Sequence, residues 1–101
     1  MKDNSLIIIP TYNEAENILT VINKIFSIDD NTSILVVDDN SPDGTSNIVK
    51  SLIKDNVNKL FLITRDKKDG LGSAYKEGFK WALDKGYSYI FEMDADLSHD
   101  P

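Results

Sequence analysis

Two kinds of hydrophobic pattern alternate along the chain. Short apolar runs, "SLIII" (Ser5 to Ile9), "SILVVDD", "KLFLIT" (Lys59 to Thr64) and "YSYIFEMD", are separated by stretches whose apolar residues recur at helical spacing. Runs without polar alternation suit strands buried on both faces, as in a parallel sheet. Pro10 stops the first run. From Glu14 to Phe26, residues Ile18, Ile22, Ile25 and Phe26 fall on one helical face, and Glu14 and Glu16 suit the positive end of the helix dipole. The turn chemistry of "SPDGTSN" precedes a second helical face, Ile48, Val49, Leu52 and Ile53, which Asn56 ends. A third helix begins near Ser73, with Ala74, Gly78, Ala82 and Tyr75, Phe79, Leu83 each recurring every four residues and Gly86 as its stop.

Strands alternating with helices predict an α/β fold: a mainly parallel sheet, right-handed crossovers and helices on both faces. With strand one central, the order is 3-2-1-4. Ligands of such sheets sit beyond the carboxyl ends of the strands, beside the point where strand order reverses. That rule singles out the loops "PTYNE", "DDNSPDG", "RDKKDGLG" and "DADLSHD".

Composition narrows the classes. The 101 residues suffice for one hydrophobic core, and 28% charged with 41% hydrophobic residues is ordinary for a soluble globular domain. A net charge of −6, with 11 basic against 17 acidic residues, speaks against a non-specific nucleic-acid binder. The absence of cysteine excludes disulfides and thiolate metal sites. The apolar run near the N-terminus is far shorter than the roughly 20 residues a membrane helix needs, so the chain reads as soluble and cytosolic.

The acidic end of the fourth run carries the sharpest chemistry. In an extended segment residues two apart point the same way, so Asp94 and Asp96 direct their carboxylates to one site while Ala95 keeps the space between them small. Hard oxygen ligands of this kind suit Mg²⁺ or Mn²⁺, leaving other coordination positions to water and substrate phosphates. The remaining loops each have a plainer reading. Pro10 ends a strand and Asn13 caps a helix; Asp38, Asp39 and Asp43 fit turn chemistry. "DGLGSAY" lacks the third glycine of a dinucleotide fingerprint, since Tyr75 occupies its place, and Gly70 and Gly72 serve a loop turning into the third helix. His99, the single histidine, is read as solvated or locally hydrogen-bonded, and Trp81 as a packing residue.

"IIIPTYNEAENI", "ILVVDDNSPDGT", "DGLGSAYKEGFKWA" and "FEMDADLSHDP", in this order, resemble the N-terminal half of a family-2 inverting glycosyltransferase of the GT-A fold, and most closely the polyprenol-phosphate sugar transferases such as the dolichyl-phosphate mannose synthases. The resemblance implies the Rossmann-like half of that fold over residues 1–101, truncated after the "DAD" motif. It implies that Pro10, Tyr12 and Glu14 line the nucleotide pocket, with Tyr12 against the base or ribose. Asp39, with Val37 beside it, would accept hydrogen bonds from the base, and Asp38 would be structural. Asp94, Ala95 and Asp96 match the metal-associated motif, with Asp96 the surer ligand and the residue assigned to catalysis; Arg65, Lys67 and Lys68 lie where they approach the diphosphate. The implied donor is GDP-mannose, or a UDP-sugar in other branches. The implied acceptor is a polyprenyl phosphate at a membrane surface, which places the full-length protein in the cytoplasm, peripheral to the cytosolic face. An ionised lipid phosphate is already a nucleophile, so no general base is demanded.

Two alternatives stand beside this reading. "ILVVDDN" and "YIFEMDADLS" also resemble strands of a response-regulator receiver, with Asp94 as phosphoacceptor, but that leaves residues 1–32 without purpose. A non-catalytic nucleotide-binding fragment differs only in competence: the 101 residues are expected to bind donor without transferring sugar, and to self-associate through an exposed sheet edge.

Overall fold

The structure, a computed structural model, describes residues 5–28, 31–66 and 71–95. Its elements follow the expected alternation: β1 (Ser5–Thr11), α1 (Ala15–Ile28), β2 (Ser33–Asp38), α2 (Thr45–Ile53), β3 (Leu60–Thr64), α3 (Leu71–Asp84) and β4 (Tyr89–Glu92). The strands form one parallel sheet in the order β3-β2-β1-β4.

Every residue of β2 is buried, as the unbroken apolar run requires. Successive side chains leave the sheet on opposite faces, so β1 and β2 feed two cores. Ile9, Ile34 and Val36 pack under α1 and α2 against Ile18, Ile22 and Val49. Leu6, Ile8, Leu35 and Val37 pack under α3 against Ala74 and Ala82. The small stripe is what brings α3 close. A Cβ added at Gly78 would lie 2.8 Å from Ile8 Cγ2, so only glycine fits there without displacement. The neighbouring stripe divides: Tyr75 is half-buried, whereas Phe79 and Leu83 are exposed. Trp81 packs, its ring 5.1 Å from Phe61 and 6.3 Å from Tyr87.

Three boundaries differ from expectation. Pro10 does not stop β1, which continues to Thr11 and pairs Pro10 with Val37. The β1–β4 register ends at Ile8 opposite Glu92, and Met93 N–H donates to the Ile8 carbonyl. Peptide groups alternate sides along a strand, so the N–H that Pro10 lacks would point to the β4 side, past the last paired residue, and no ladder bond is lost. Helix α3 begins at Leu71, two residues before Ser73, and ends at Asp84, two residues before Gly86, whose φ of 86° takes the left-handed turn that favours glycine. Strand β4 is shorter than the apolar run suggested, and Tyr89 and Phe91 remain exposed.

Candidate active site

At the carboxyl ends of β1 and β2 two loops are stitched together through side chains. Asp38 is fully buried; its Oδ1 accepts from Thr11 Oγ1 and Ser41 Oγ, both at 2.6 Å, and its Oδ2 accepts from Ser41 N at 3.0 Å. Asp38 is therefore structural, as the resemblance implied. Asn13 N–H donates to Ser41 Oγ at 2.9 Å and Glu14 N–H to Thr45 Oγ1 at 3.1 Å. Asp43 serves two helices. Its Oδ2 accepts from Ala15 N at the start of α1, and its Oδ1 from Thr45 N at the start of α2, at 3.0 and 3.1 Å. Chiefly through the Thr45 hydroxyl, its carboxyl is held below the usual 3.8. The α1 cap expected of Asn13 thus comes from the next loop. Asn13 instead takes a left-handed backbone with φ 59°, which asparagine tolerates well.

This arrangement fixes the residues assigned to the nucleotide. Pro10 and Val37 are buried partners across β1 and β2; Tyr12 follows with 39% of its surface exposed, and Glu14 opens α1. Asp39 comes just after β2, with only 5% exposed. Both of its oxygens face Arg65: Nε donates to Oδ1 at 2.6 Å and Nη2 to Oδ2 at 3.0 Å. Arg65 Nη1 continues to Ser73 Oγ at 2.8 Å and lies 3.6 Å from Glu77 Oε1. The Asp39 hydrogen bonds outweigh burial and raise the guanidinium's already high pKa, so this charge is permanent. Arg65 is thus turned inward to the carboxylate assigned to the base. Lys67 and Lys68 lie outside the described residues.

On the other side of β1, Asp94 and Ala95 follow β4. Asp94 is exposed and Ala95 buried in the core beneath α1. Tyr75 Oη donates to Asp94 Oδ1 at 3.2 Å. Burial first, then the Asp94 charge, pushes the phenol up to about 12, so it remains a donor across the neutral range. Asp96 and His99 lie outside the described residues. Among the described residues no group of three or more metal-binding side chains gathers. A groove of about 510 Å³ flanks α3 beside Lys76, Lys80 and Trp81, but none of the assigned residues lines it.

The sequence pattern alone left several participants unassigned. Ser41, Asp43 and Thr45 were covered by turn chemistry, although Asp-Gly-Thr ahead of an apolar helical face is also a capping signal. For Ser73 and Tyr75 the only available signal was the place of "GLGSAY" after a strand-end loop.

The chain is 45% identical over 97 residues to a polyprenol monophosphomannose synthase of Mycolicibacterium smegmatis, covering 96% of this chain and 37% of the relative. It is 43% identical over 96 residues to an undecaprenyl-phosphate mannosyltransferase of Micrococcus luteus, covering 95% and 39% respectively. The chain thus spans under two fifths of these curated relatives. A mannosyltransferase of Pyrobaculum calidifontis, solved in complex with GDP-Man and Mn²⁺, superposes with a TM-score of 0.79 at 25% identity over 95% of this chain and 28% of its own. The fold is accordingly the Rossmann-like half of a GT-A fold. The family match also spans residues 6–32, which a receiver leaves unexplained. Residues 6–101 match glycosyl transferase family 2, and the chain belongs to that family.

Proposed function

We propose that this chain is the nucleotide-sugar-binding part of a transferase that moves mannose from GDP-mannose to a polyprenyl phosphate with inversion. The observation that carries the reading is the placement of Tyr12 and Asp39 on one side of the β1 carboxyl end and Asp94 on the other, across the reversal of strand order. Tyr12 supplies an exposed aromatic face for the base or ribose. Asp39, an acceptor-only group that keeps lone pairs beyond its two bonds from Arg65, is assigned to the N–H edge of guanine, with Glu14, Pro10 and Val37 beside it. Asp94 and Asp96 hold Mg²⁺ or Mn²⁺, which when bound neutralises the charge that develops on the departing diphosphate. An ionised phosphate acceptor needs alignment rather than a base, and the reaction would be placed at the cytosolic face of a membrane.

The test is a set of calorimetric titrations of the chain with GDP, UDP, CDP and ADP, with and without Mn²⁺. GDP is expected to bind best and Mn²⁺ to strengthen it, because Asp94 and Asp96 otherwise meet the diphosphate as like charges. Asp96→Ala should remove the metal dependence. Equal GDP affinity with and without Mn²⁺ refutes the metal assignment, and a preference for another nucleotide refutes the donor.

A further inference from the structure

Neither the strand-end chemistry nor the nucleotide pocket accounts for "GLGSAY". The structure places its Leu71 to Tyr75 in the first turns of α3, with Ser73 facing Arg65 and Tyr75 facing Asp94. Tyr75 stands where a dinucleotide fingerprint would carry glycine. Its ring is half-buried against the core formed by Leu6, Ile8, Leu35, Val37, Ala74 and Ala82, which fixes the ring and leaves the hydroxyl at the rim. That hydroxyl reaches Asp94 Oδ1, 19 residues further along the chain.

The backbone around Asp94 is held on both sides. Met93 N–H donates to the Ile8 carbonyl at 3.0 Å, and Ala95 is buried beneath α1. Asp94 itself is exposed and lies past the end of β4. An exposed carboxylate loses rotamer freedom on gaining a ligand, and a hydrogen bond from a packed neighbour lowers that loss beforehand.

We propose that Tyr75 is a positioning residue for the diphosphate-metal site: its hydroxyl orients the Asp94 carboxylate toward a bound divalent cation. This rests on the assignment of Asp94 to that cation. A surface hydrogen bond with no such role would add a little stability and leave cation affinity unchanged, so the two roles separate by measurement. Partners that orient ligating side chains typically change metal affinity by about 10- to 100-fold when removed. An exposed bond of 3.2 Å belongs at the lower end of that range.

The experiment titrates GDP into the chain across a series of Mn²⁺ concentrations, in the original sequence and in Tyr75→Phe, which keeps the ring and removes only the hydroxyl. The expected result is that Tyr75→Phe needs about tenfold more Mn²⁺ to reach half of the metal-induced gain in GDP affinity. Affinity for GDP without metal should stay unchanged. In an Asp94→Asn background, Tyr75→Phe should shift the Mn²⁺ requirement much less, because the carboxylate it orients is gone. An unchanged Mn²⁺ requirement in Tyr75→Phe, or an equal loss of metal-free GDP binding, overturns the proposal. If Mn²⁺ does not strengthen GDP binding even in the original sequence, the site assignment fails first and the proposal with it. Should Tyr75→Phe lose the native circular-dichroism spectrum, Tyr75→Met, a different apolar anchor without a hydroxyl, carries the same expectations and the same refutations.

Discussion

Replacing Arg65 with Met would leave the Asp39 carboxylate almost wholly enclosed with its cation removed. The side chains of Arg65 and Asp39 expose 9% and 7% of their surfaces, and two charge-assisted bonds of 2.6 and 3.0 Å join them. Surface ion pairs contribute about 0–1 kcal/mol. Breaking a buried pair by deleting one partner costs about 3–5 kcal/mol, because the survivor stays desolvated and unpaired. Here the pair sits at the loop end of the sheet, where water can reach a relaxed carboxylate, so the lower end, about 3 kcal/mol, is expected. The bond to Ser73 is lost too, whereas the 3.6 Å approach to the half-exposed Glu77 adds little. For a domain of this size, 3 kcal/mol corresponds to a fall in Tm of about 12–24 °C. Urea unfolding followed by circular dichroism gives the value. The double variant Arg65→Met, Asp39→Leu removes both charges and should recover at least half of the loss, since an apolar pair of similar volume does not carry the desolvation penalty. Arg65→Lys should restore less, because one ammonium cannot span both carboxylate oxygens. A loss under about 1 kcal/mol in Arg65→Met, or a double variant no better than the single, would refute the reasoning: the pair would then behave as a surface contact.

That pair also shows where the sequence stops being informative. Element types and strand order were legible because each rests on local periodicity, 3.6 or unbroken, and on the handedness of parallel crossovers. Asp38 and Asp39 were legible as a pair. The partners of each were not: Asp38 turns to Thr11 and Ser41, and Asp39 to Arg65. Bonds between residues 26 to 31 positions apart, such as Arg65 to Asp39 or Glu14 to Thr45, leave no periodic trace. Pro10 was misplaced for a related reason: a proline forbids one ladder bond, and whether that bond exists depends on how far the neighbouring strand extends. Gly78 looked like one member of a small-residue repeat. Only the 2.8 Å approach to Ile8 distinguishes it from Gly72.

Asp43→Ala, which deprives the starts of both α1 and α2 of an acceptor, should cost about 1 to 2 kcal/mol at neutral pH by urea unfolding; no measurable loss would show that water replaces it. Because its folded carboxyl lies below 3.8, Asp43 contributes stability above that pH, which is lost as the pH falls through the lowered folded value. Asp43→Asn should therefore lose less Tm than the original sequence on acidification from about pH 5 to 3, and an identical pH profile would refute the assignment. The last prediction sets two glycines of α3 against each other. Gly72 has no atom within 4 Å of an added Cβ, so Gly72→Ala should gain up to about 1 kcal/mol from helix propensity. Gly78→Ala gains the same propensity but drives a methyl to 2.8 Å from Ile8 Cγ2 and 3.3 Å from Val37 Cγ2. Both are methyls fixed directly to the Cβ of fully buried, β-branched residues, so neither can rotate away cheaply. Overpacking typically costs about 1–3 kcal/mol, leaving a net loss of about 1 kcal/mol, or about 4–8 °C in Tm. Opposite signs for the two substitutions in thermal unfolding are the expected outcome. If both stabilise, α3 has room above β1, and the close packing that carries Ser73 to Arg65 and Tyr75 to Asp94 is looser than 2.8 Å implies.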